Sequence, residues 1–264
     1  MCGICGELRF DNTKISDVRK SKMLDSISDR GPDHTGIYQD KNLFLGHQRL
    51  SVIDTSNKSN QPMEDEDFII VFNGVIFNYK KLRKILINEG YTFISSGDTE
   101  VILKCFRHYG EDLVYHLDGV FSLSIFSKNT RQLFCARDRL GIKPFYYKYS
   151  PDSFSFASNT KALINENEDP SINNESLHYQ FTLHSVVPAP NTIISTIQKL
   201  EPGFFIKIDS KGMITKKKYY SFDHIKINHT INEQEILDET ERLLIKAIKK
   251  RFYTADVDVG VLLS

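Results

Sequence analysis

The first residues of the chain, Met1-Cys2-Gly3-Ile4-Cys5-Gly6, place a thiol directly after an initiator methionine that can be removed. Removal would leave Cys2 with both a thiol and a free α-amino group. Unperturbed pKa values are about 8.5 for a thiol and about 7.7–8.0 for an α-amine, so near neutral pH the amine can accept the thiol proton. A nucleophile activated by its own amine is an established catalytic arrangement. The start of the chain therefore predicts an N-terminal nucleophile.

Cys2 and Cys5 also form a C-x-x-C, a pattern found in zinc sites and redox centres. A structural zinc site needs four ligands, and the other cysteines, Cys105 and Cys135, stand alone in apolar runs where buried thiols are common. A thioredoxin-like motif would follow a strand inside a βαβ unit instead of beginning the chain. A metal or redox protein is thus a distant alternative, and no metal ligands are predicted.

Three further stretches could hold and polarise a substrate. Asn73-Gly74 offers a side-chain amide and a backbone N–H that could form an oxyanion hole, although an isolated Asn-Gly is usually a turn. Arg49 lies among apolar residues and suits a carboxylate, with an internal salt bridge as the alternative. Asp98 could meet an ammonium group or simply cap a helix. With a cysteine that attacks amides, these groups describe a site for glutamine.

The composition excludes several classes of protein. The 264 residues carry 34 basic and 34 acidic side chains, with 40% hydrophobic and 26% charged residues, as is usual for a globular chain of one or two domains. Neutral charge argues against binding to nucleic acid or to a membrane surface. The cysteines lack the spacing of a disulfide framework, and neither a secretory signal nor a membrane span is visible. We therefore expect a cytoplasmic protein.

Hydrophobic periodicity predicts an α+β fold in which layers of antiparallel sheet are covered by helices. The predicted helices are Lys14–Ser28, Tyr79–Glu89, Asp98–Tyr109 and Asn174–Leu183. A continuous apolar strand, Phe68–Phe72, is expected to end at Asn73-Gly74. The other predicted strands are Glu7–Phe10, Leu43–Ile53, Gly119–Ser127, Gln132–Arg137, Pro144–Tyr149, Ser153–Ala157 and Gly203–Ile208.

A different pattern begins after a polar stretch near residue 223. Thr230 and Glu233 are spaced as a capping box for a helix that runs to about Phe252. The run Val257–Ser264 is typical of a buried parallel strand. A chain that ends inside such a strand is expected to be cut from a longer one.

The chain resembles the glutamine amidotransferase domain of glutamine-hydrolysing asparagine synthetases, which are class II enzymes of the N-terminal-nucleophile type. Eight collinear stretches carry the resemblance and span most of the chain. They are Met1-Cys2-Gly3-Ile4, Arg30-Gly31-Pro32-Asp33, His47 to Asp54, Gln61-Pro62-Met63, Asn73 to Asn78, Ser96 to Glu100, Asp118 to Phe121 and Ala136 to Pro144.

The resemblance implies a role for each candidate residue. Cys2 is the nucleophile, Asn73 and Gly74 form the oxyanion hole, and Asp98 takes the α-amino group of glutamine. The α-carboxylate end is held by Arg49 and by the backbone of Leu50, Ser51, Val52 and Ile53. Val75 stands where the family usually has a glutamate that helps to hold the substrate amine, so glutamine binding could be weaker here. Asn159 likewise replaces a usual glutamate.

The same resemblance implies the organisation of the chain. Residues 2–209 are expected to form a four-layer α/β/β/α N-terminal-nucleophile domain, residues 210–229 a linker, and residues 230–264 the first helix and strand of an α/β ATP-pyrophosphatase domain, with Leu263 at a nucleotide-contacting position. Glutamine hydrolysis needs no cofactor. ATP, Mg²⁺ and aspartate belong to the complete protein, and a homodimer stays open as its assembly.

Two alternatives remain from the sequence. The ammonia could be delivered to another acceptor, such as a sugar or a surface polysaccharide. Alternatively, the departure at Val75 could leave a module that binds glutamine without turnover.

Overall fold

The computed structural model describes residues 1–165, 168–223, 225 and 232–261. Its helices are α1 (Asp17–Asp25), α2 (Tyr79–Asn88), α3 (Asp98–Tyr109), α4 (Leu113–His116), α5 (Asn174–Thr182) and α6 (Glu233–Phe252). Its strands are β1 (Gly3–Arg9), β2 (His34–Asp40), β3 (Leu43–Arg49), β4 (Met63–Glu64), β5 (Phe68–Ile76), β6 (Gly119–Ser127), β7 (Leu133–Arg137), β8 (Tyr146–Tyr149), β9 (Ser153–Ala157), β10 (Gln198–Lys199), β11 (Phe204–Ile208) and β12 (Ile214–Lys218).

The strands form two six-stranded sheets with antiparallel neighbours. The first sheet has the order β10-β8-β9-β1-β3-β2, and the second has the order β12-β11-β7-β6-β5-β4. Strand β1 therefore lies inside the first sheet, between β9 and β3. This central place fixes the N-terminus of the chain against the rest of the fold.

Side chains on alternate faces of each strand build three packed layers, since successive residues of a strand point to opposite faces. On β5, Ile69 and Val71 join the core between the two sheets, whereas Ile70 and Phe72 pack with the residues of α2 and α3. On the first sheet, Cys5 faces outward with the apolar residues of α1. The predicted α+β fold with an α/β/β/α order of layers is confirmed.

Strand β5 differs from the prediction, because it continues through Asn73-Gly74 to Ile76. The expectation that Asn-Gly ends the strand was wrong. Gly74 pairs with Phe121 of β6, and a Cβ atom at Gly74 would lie 2.3 Å from the carbonyl oxygen of Val120. Glycine is therefore required here for close approach of two strands, and it does not act as a turn.

The second sheet continues past the predicted domain boundary at residue 209. Strand β12 pairs with β11 along its length, and Tyr219 is buried in the core beside α2 and α3. The boundary thus falls inside a hairpin, and the first part of the predicted linker, residues 210–229, is strand.

The C-terminal segment was predicted less accurately. The cap of α6 is Asn232, whose side chain and Glu235 form a reciprocal capping box; the predicted cap, Thr230, lies outside the described residues. The predicted strand is absent from residues 257–261, and residues 262–264, including Leu263, lie outside the described part. Helix α6 has no buried residue, so nothing in the described chain covers its apolar side chains.

Candidate active site

The candidate residues meet at one end of the layer between the two sheets, where β1 begins, β3 ends and β5 passes. A pocket there is lined by nine of the predicted residues: Cys2, Arg49, Leu50, Val52, Ile53, Asn73, Gly74, Val75 and Asp98. Ser51 does not line it, since its amide points away and donates a hydrogen bond of 2.7 Å to Asp33 Oδ2. The fold thus gathers groups separated by nearly 100 positions in the sequence.

The Cys2 thiol lies against the backbone at the end of β3. The Leu50 amide donates to Cys2 Sγ at 3.4 Å, and the thiol lies 3.5 Å from the Leu50 carbonyl oxygen. Burial raises the pKa of Cys2, while the Leu50 hydrogen bond and the N-terminal ammonium act in the opposite direction. The resting nucleophile is therefore a protonated thiol that needs a base.

The α-amino group at the start of the chain lies in the same environment. Burial lowers the pKa of this group, which here belongs to Met1, and the cations Arg30 and Lys143 lower it further. A lower pKa increases the fraction of amine that is free to accept a proton. The surroundings therefore favour the uncharged form of the Met1 amine, although Cys2 and Asp33 act in the opposite direction.

Arg30, which the sequence marked only as part of one of the motifs, anchors the backbone of Cys2. Its Nε donates a hydrogen bond of 2.9 Å to the carbonyl oxygen of Cys2. The turn that follows packs tightly on β3, because a Cβ atom at Gly31 would lie 2.4 Å from the Gln48 carbonyl oxygen. Sequence reasoning missed this contact because it joins positions that are 28 residues apart.

Asn73 carries a buried donor that no described group accepts. The residue is 1% exposed, and its Nδ2 atom is buried without a hydrogen-bond partner in the described part of the chain. Such a donor costs about 1–3 kcal/mol when it is left unpaired. An unpaired amide in a pocket beside a thiol is suited to an anionic oxygen that forms during reaction.

The edge of β5 supplies a second donor. Amides two residues apart on a strand face the same edge. The Phe72 amide donates to Gln61 Oε1 at 2.6 Å and the Ile76 amide donates to Asp98 Oδ2 at 3.0 Å. The amide of Gly74 faces the same edge between them and lines the pocket. Asn73 and Gly74 thus each bring a hydrogen-bond donor to the same pocket.

His47 braces this edge from the first sheet. It is buried, and its Nε2 atom lies 3.2 Å from the carbonyl oxygen of Phe72. Burial lowers the pKa of His47 to about 3, so the ring is neutral. A carbonyl oxygen can only accept, so Nε2 carries the proton. The sequence marked His47 only as part of a motif.

Arg49 is buried, and no acidic side chain in the described part of the chain forms a salt bridge with it. Its Nη1 atom donates to the Ser56 carbonyl oxygen at 2.8 Å and to Asn60 Oδ1 at 2.6 Å, while Nη2 donates to the Asp54 carbonyl oxygen. These acceptors carry no charge, so they orient the guanidinium without neutralising its positive charge. A charge held in this way can attract a substrate carboxylate.

Asp98 is the first residue of α3, and Gly97 is the cap. Burial raises the pKa of Asp98 to about 7, and Asp256 contributes in the same direction, whereas the amides of Ile76, Asp98 and Thr99 oppose this. The carboxyl group is therefore close to half ionised at neutral pH. A bound ammonium group would favour its ionised form.

Several pocket residues were not predicted, namely Met1, Ser59, Gln61, Phe72, Thr99 and Lys143. Gln61 connects two of the walls, since its Nε2 donates to Thr99 Oγ1 at 3.2 Å while its Oε1 holds the Phe72 amide. The stretch Gln61-Pro62-Met63 was one of the motifs, and this was the one signal for it.

Two kinds of site are not found in the described part of the chain. No group of three or more histidine, cysteine, aspartate or glutamate side chains is arranged to hold a metal ion within residues 1–165, 168–223, 225 and 232–261. Across the same residues, no helix combines the length and apolar character of a membrane span. Cys5 is buried under α1, on the opposite side of β1 from the pocket.

Comparison with known proteins gives a consistent family. The glutamine amidotransferase domain family matches residues 1–220. The chain is 36% identical to asparagine synthetase [glutamine-hydrolyzing] 1 of Bacillus subtilis, covering 100% of this chain and 42% of that protein. It is 35% identical to a putative asparagine synthetase [glutamine-hydrolyzing] 2 of Methanocaldococcus jannaschii, covering 100% of this chain and 54% of that protein. The chain therefore spans about half the length of these relatives.

Solved structures support the fold independently. Glutamine phosphoribosylpyrophosphate amidotransferase from B. subtilis superposes with a TM-score of 0.60 over 86% of this chain and 50% of that chain, at 19% identity. At this identity the likeness concerns the fold alone.

Proposed function

Because the chain belongs to the glutamine amidotransferase domain family, we propose that its pocket hydrolyses glutamine to glutamate and ammonia with Cys2 as the nucleophile. The observation that carries the proposal is the unpaired, buried Asn73 Nδ2 in the same pocket as the Cys2 thiol. Arg49 and Asp98 line that pocket too, and their charges suit the α-carboxylate and α-ammonium of an amino acid.

The proposed reaction begins once Met1 has been removed. The Cys2 amine accepts the thiol proton, and the sulfur attacks the side-chain carbonyl carbon of glutamine. The oxyanion that forms accepts hydrogen bonds from Asn73 Nδ2 and the Gly74 amide. Transfer of the proton to the departing nitrogen breaks the C–N bond and releases ammonia. Water then attacks the thioester, and glutamate leaves with the thiol restored.

The remaining predicted contacts concern the substrate's α end. Arg49 holds the α-carboxylate with help from the backbone of residues 50–53, and Asp98 holds the α-ammonium. Val75 contributes an apolar wall where a glutamate would add a second negative charge. Hydrolysis itself needs no cofactor in this scheme.

For the complete protein, we propose that the ammonia serves an ATP- and Mg²⁺-dependent conversion of aspartate to asparagine. The names of the relatives favour this acceptor, and residues 230–264 would begin the corresponding synthetase domain after a linker, with Leu263 near the nucleotide. An amidotransferase with a sugar or polysaccharide acceptor is the alternative.

The test is ammonia release from glutamine by the purified chain, with intact mass to establish whether Met1 is removed. We expect turnover that Cys2→Ala abolishes, with a loss of at least about 10³-fold. Cys5→Ala is the matched control, because Cys5 is buried away from the pocket, and it should keep turnover. Glutamine binding without ammonia release by the processed chain would instead indicate a binding module.

A further inference from the structure

The segment that follows α6 returns to the glutamine pocket. We call residues 253–256 the strap. The Asp256 amide donates to the Val52 carbonyl oxygen at 2.9 Å, and the Asp54 amide donates to Asp256 Oδ2 at 2.8 Å. Within the strap Thr254 is buried, at 4% exposed, whereas Tyr253 is 76% exposed. A single residue of the strap thus holds both ends of the turn formed by residues 52–54.

That turn shapes the pocket. Val52 and Ile53 line it, and the carbonyl oxygen of Asp54 accepts from Arg49 Nη2. Asp54 has a φ of 46°, in the left-handed region that costs energy for a residue with a side chain. Such a conformation persists only when surrounding contacts determine it, and the hydrogen bond from its amide to Asp256 is one of these contacts.

Helix α6 fastens the strap to the opposite wall of the pocket. Lys250 forms an ion pair with Asp118, and the guanidinium of Arg251 lies 5.1 Å from the centre of the Phe77 ring. Phe77 directly follows β5, and its amide donates to the Asp118 carbonyl oxygen at 2.8 Å. The end of α6 and the strap therefore bridge the wall that carries the oxyanion donors and the turn that orients Arg49.

We propose that Asp256 is a positioning residue for glutamine, which fixes the turn at residues 52–54 and through it the guanidinium of Arg49. This inference rests on the proposed function of the pocket. It assigns to the C-terminal segment a part in substrate affinity, although none of the described residues 232–261 lines the pocket.

The experiment compares three substitutions in the full chain. Asp256→Ala removes the carboxylate acceptor and keeps the amide, Asp256→Asn keeps an oxygen acceptor for the Asp54 amide, and Asp256→Pro removes the acceptor and the amide together. Asp258→Ala is the matched control, because Asp258 is an exposed aspartate two residues further on. Glutamine KM and kcat are measured for each, and the dissociation constant is measured by calorimetry in the Cys2→Ala background, where turnover does not interfere.

We expect Asp256→Ala to raise KM and the dissociation constant about fivefold with kcat nearly unchanged, since one charged hydrogen bond to an exposed residue is lost. Asp256→Asn should restore affinity to within about twofold, and Asp256→Pro should weaken it by about tenfold or more. Asp258→Ala should match the wild type. This graded order in KM separates positioning from a general loss of stability, which would lower kcat in proportion to the folded fraction.

Equal glutamine affinity in the wild type and all three Asp256 variants would overturn the inference and leave the glutaminase proposal intact. Equal losses for Asp256→Ala and Asp256→Asn would also overturn it, because the acceptor would not matter. A wild-type chain, free of Met1, that neither binds nor hydrolyses glutamine would overturn both proposals.

Discussion

Two polar clusters of the second sheet, one at β5 and one after β7, differ in how their hydrogen-bonding groups are paired. At the turn after β7, the Asp138 carboxylate accepts hydrogen bonds from four backbone amides, those of Phe121, Leu140, Ile142 and Lys143. Arg137 beside it donates to the carbonyl oxygens of Gly141, Lys143 and Leu200. In the pocket, by contrast, Asn73 Nδ2 is buried without a partner among the described residues. Burial also raises the pKa of the Asp98 carboxyl group, so this group is costly to ionise.

The difference indicates what each cluster is for. Polar groups whose hydrogen bonds are all formed stabilise a fold. A buried donor without an acceptor, or a buried carboxyl group that is costly to ionise, gains stability when a bound ligand supplies the missing partner. The Asp138 turn is therefore structural, and the pocket is prepared for a charged, polar substrate. Substitutions in the two clusters should separate activity from stability.

The largest expected effect is on catalysis. Asn73→Ala should lower kcat for glutamine hydrolysis by about 10²–10³-fold, because one donor to the oxyanion is lost. The midpoint of urea unfolding should stay close to that of the wild type, since the Nδ2 atom has no bond to lose. The control is Asn78→Ala, whose side chain bonds the His116 carbonyl oxygen and the Asp118 amide; it should lower stability and keep kcat.

The structural cluster should give the reverse result. Asp138→Asn turns a side-chain NH2 donor toward backbone amides that thereby lose their acceptor, and we expect the free energy of unfolding to fall by about 2–4 kcal/mol. Urea unfolding measures this directly. The kcat per folded molecule should change less than threefold, and a loss of kcat as large as that of Asn73→Ala would remove the contrast between the clusters.

The pH dependence should follow Asp98. Its pKa of about 7 means that the carboxyl group is about half ionised at pH 7 and largely protonated at pH 6, so glutamine KM should rise about fivefold between pH 7 and pH 6. The processed chain is assayed from pH 6 to pH 8.5. A KM that stays flat over this range would show that Asp98 does not hold the substrate ammonium.

Asp98 should also limit stability, and the sign follows from its raised pKa. A carboxyl whose pKa is raised on folding contributes stability that is present below its unfolded value of about 3.9 and is lost as pH rises through 7. Asp98→Asn should therefore be more stable than the wild type at pH 8 and bind glutamine poorly. Unfolding at pH 8 and pH 5 provides the comparison.

The smallest expected effect concerns Val75. Val75→Glu places a second carboxylate at the pocket wall, and we expect glutamine KM to fall about fivefold at pH 8, the value of one favourable charge contact. The substituted side chain leaves the apolar core that Val75 packs against, so a small loss of stability should accompany the gain. Val75→Gln, with the same length and no charge, is the control.

The sequence by itself determined the chemistry and the locally encoded elements. Cys2, Arg49, Asn73-Gly74 and Asp98 could be grouped as a predicted glutamine site from residue type and motif order alone, and the family match supports the glutamine amidotransferase assignment of the chain. Elements with strong local signals were predicted with their bounds, as for α3, β6 and β9. Periodicity and flanking glycines are properties of neighbouring residues, so they can be read from the chain.

Only the tertiary structure decided how these groups are held. The continuation of β5 through Gly74 depends on its close packing against β6. The hydrogen bond from Arg30 to the Cys2 carbonyl oxygen joins residues that are distant in the sequence. Arg49 takes neutral backbone carbonyls instead of a salt-bridge partner, and Asp256 reaches the turn at residues 52–54 from over 200 positions away. Such contacts are set by which strands and turns come together, because a hydrogen bond is available to any suitable donor and acceptor that the fold brings within reach.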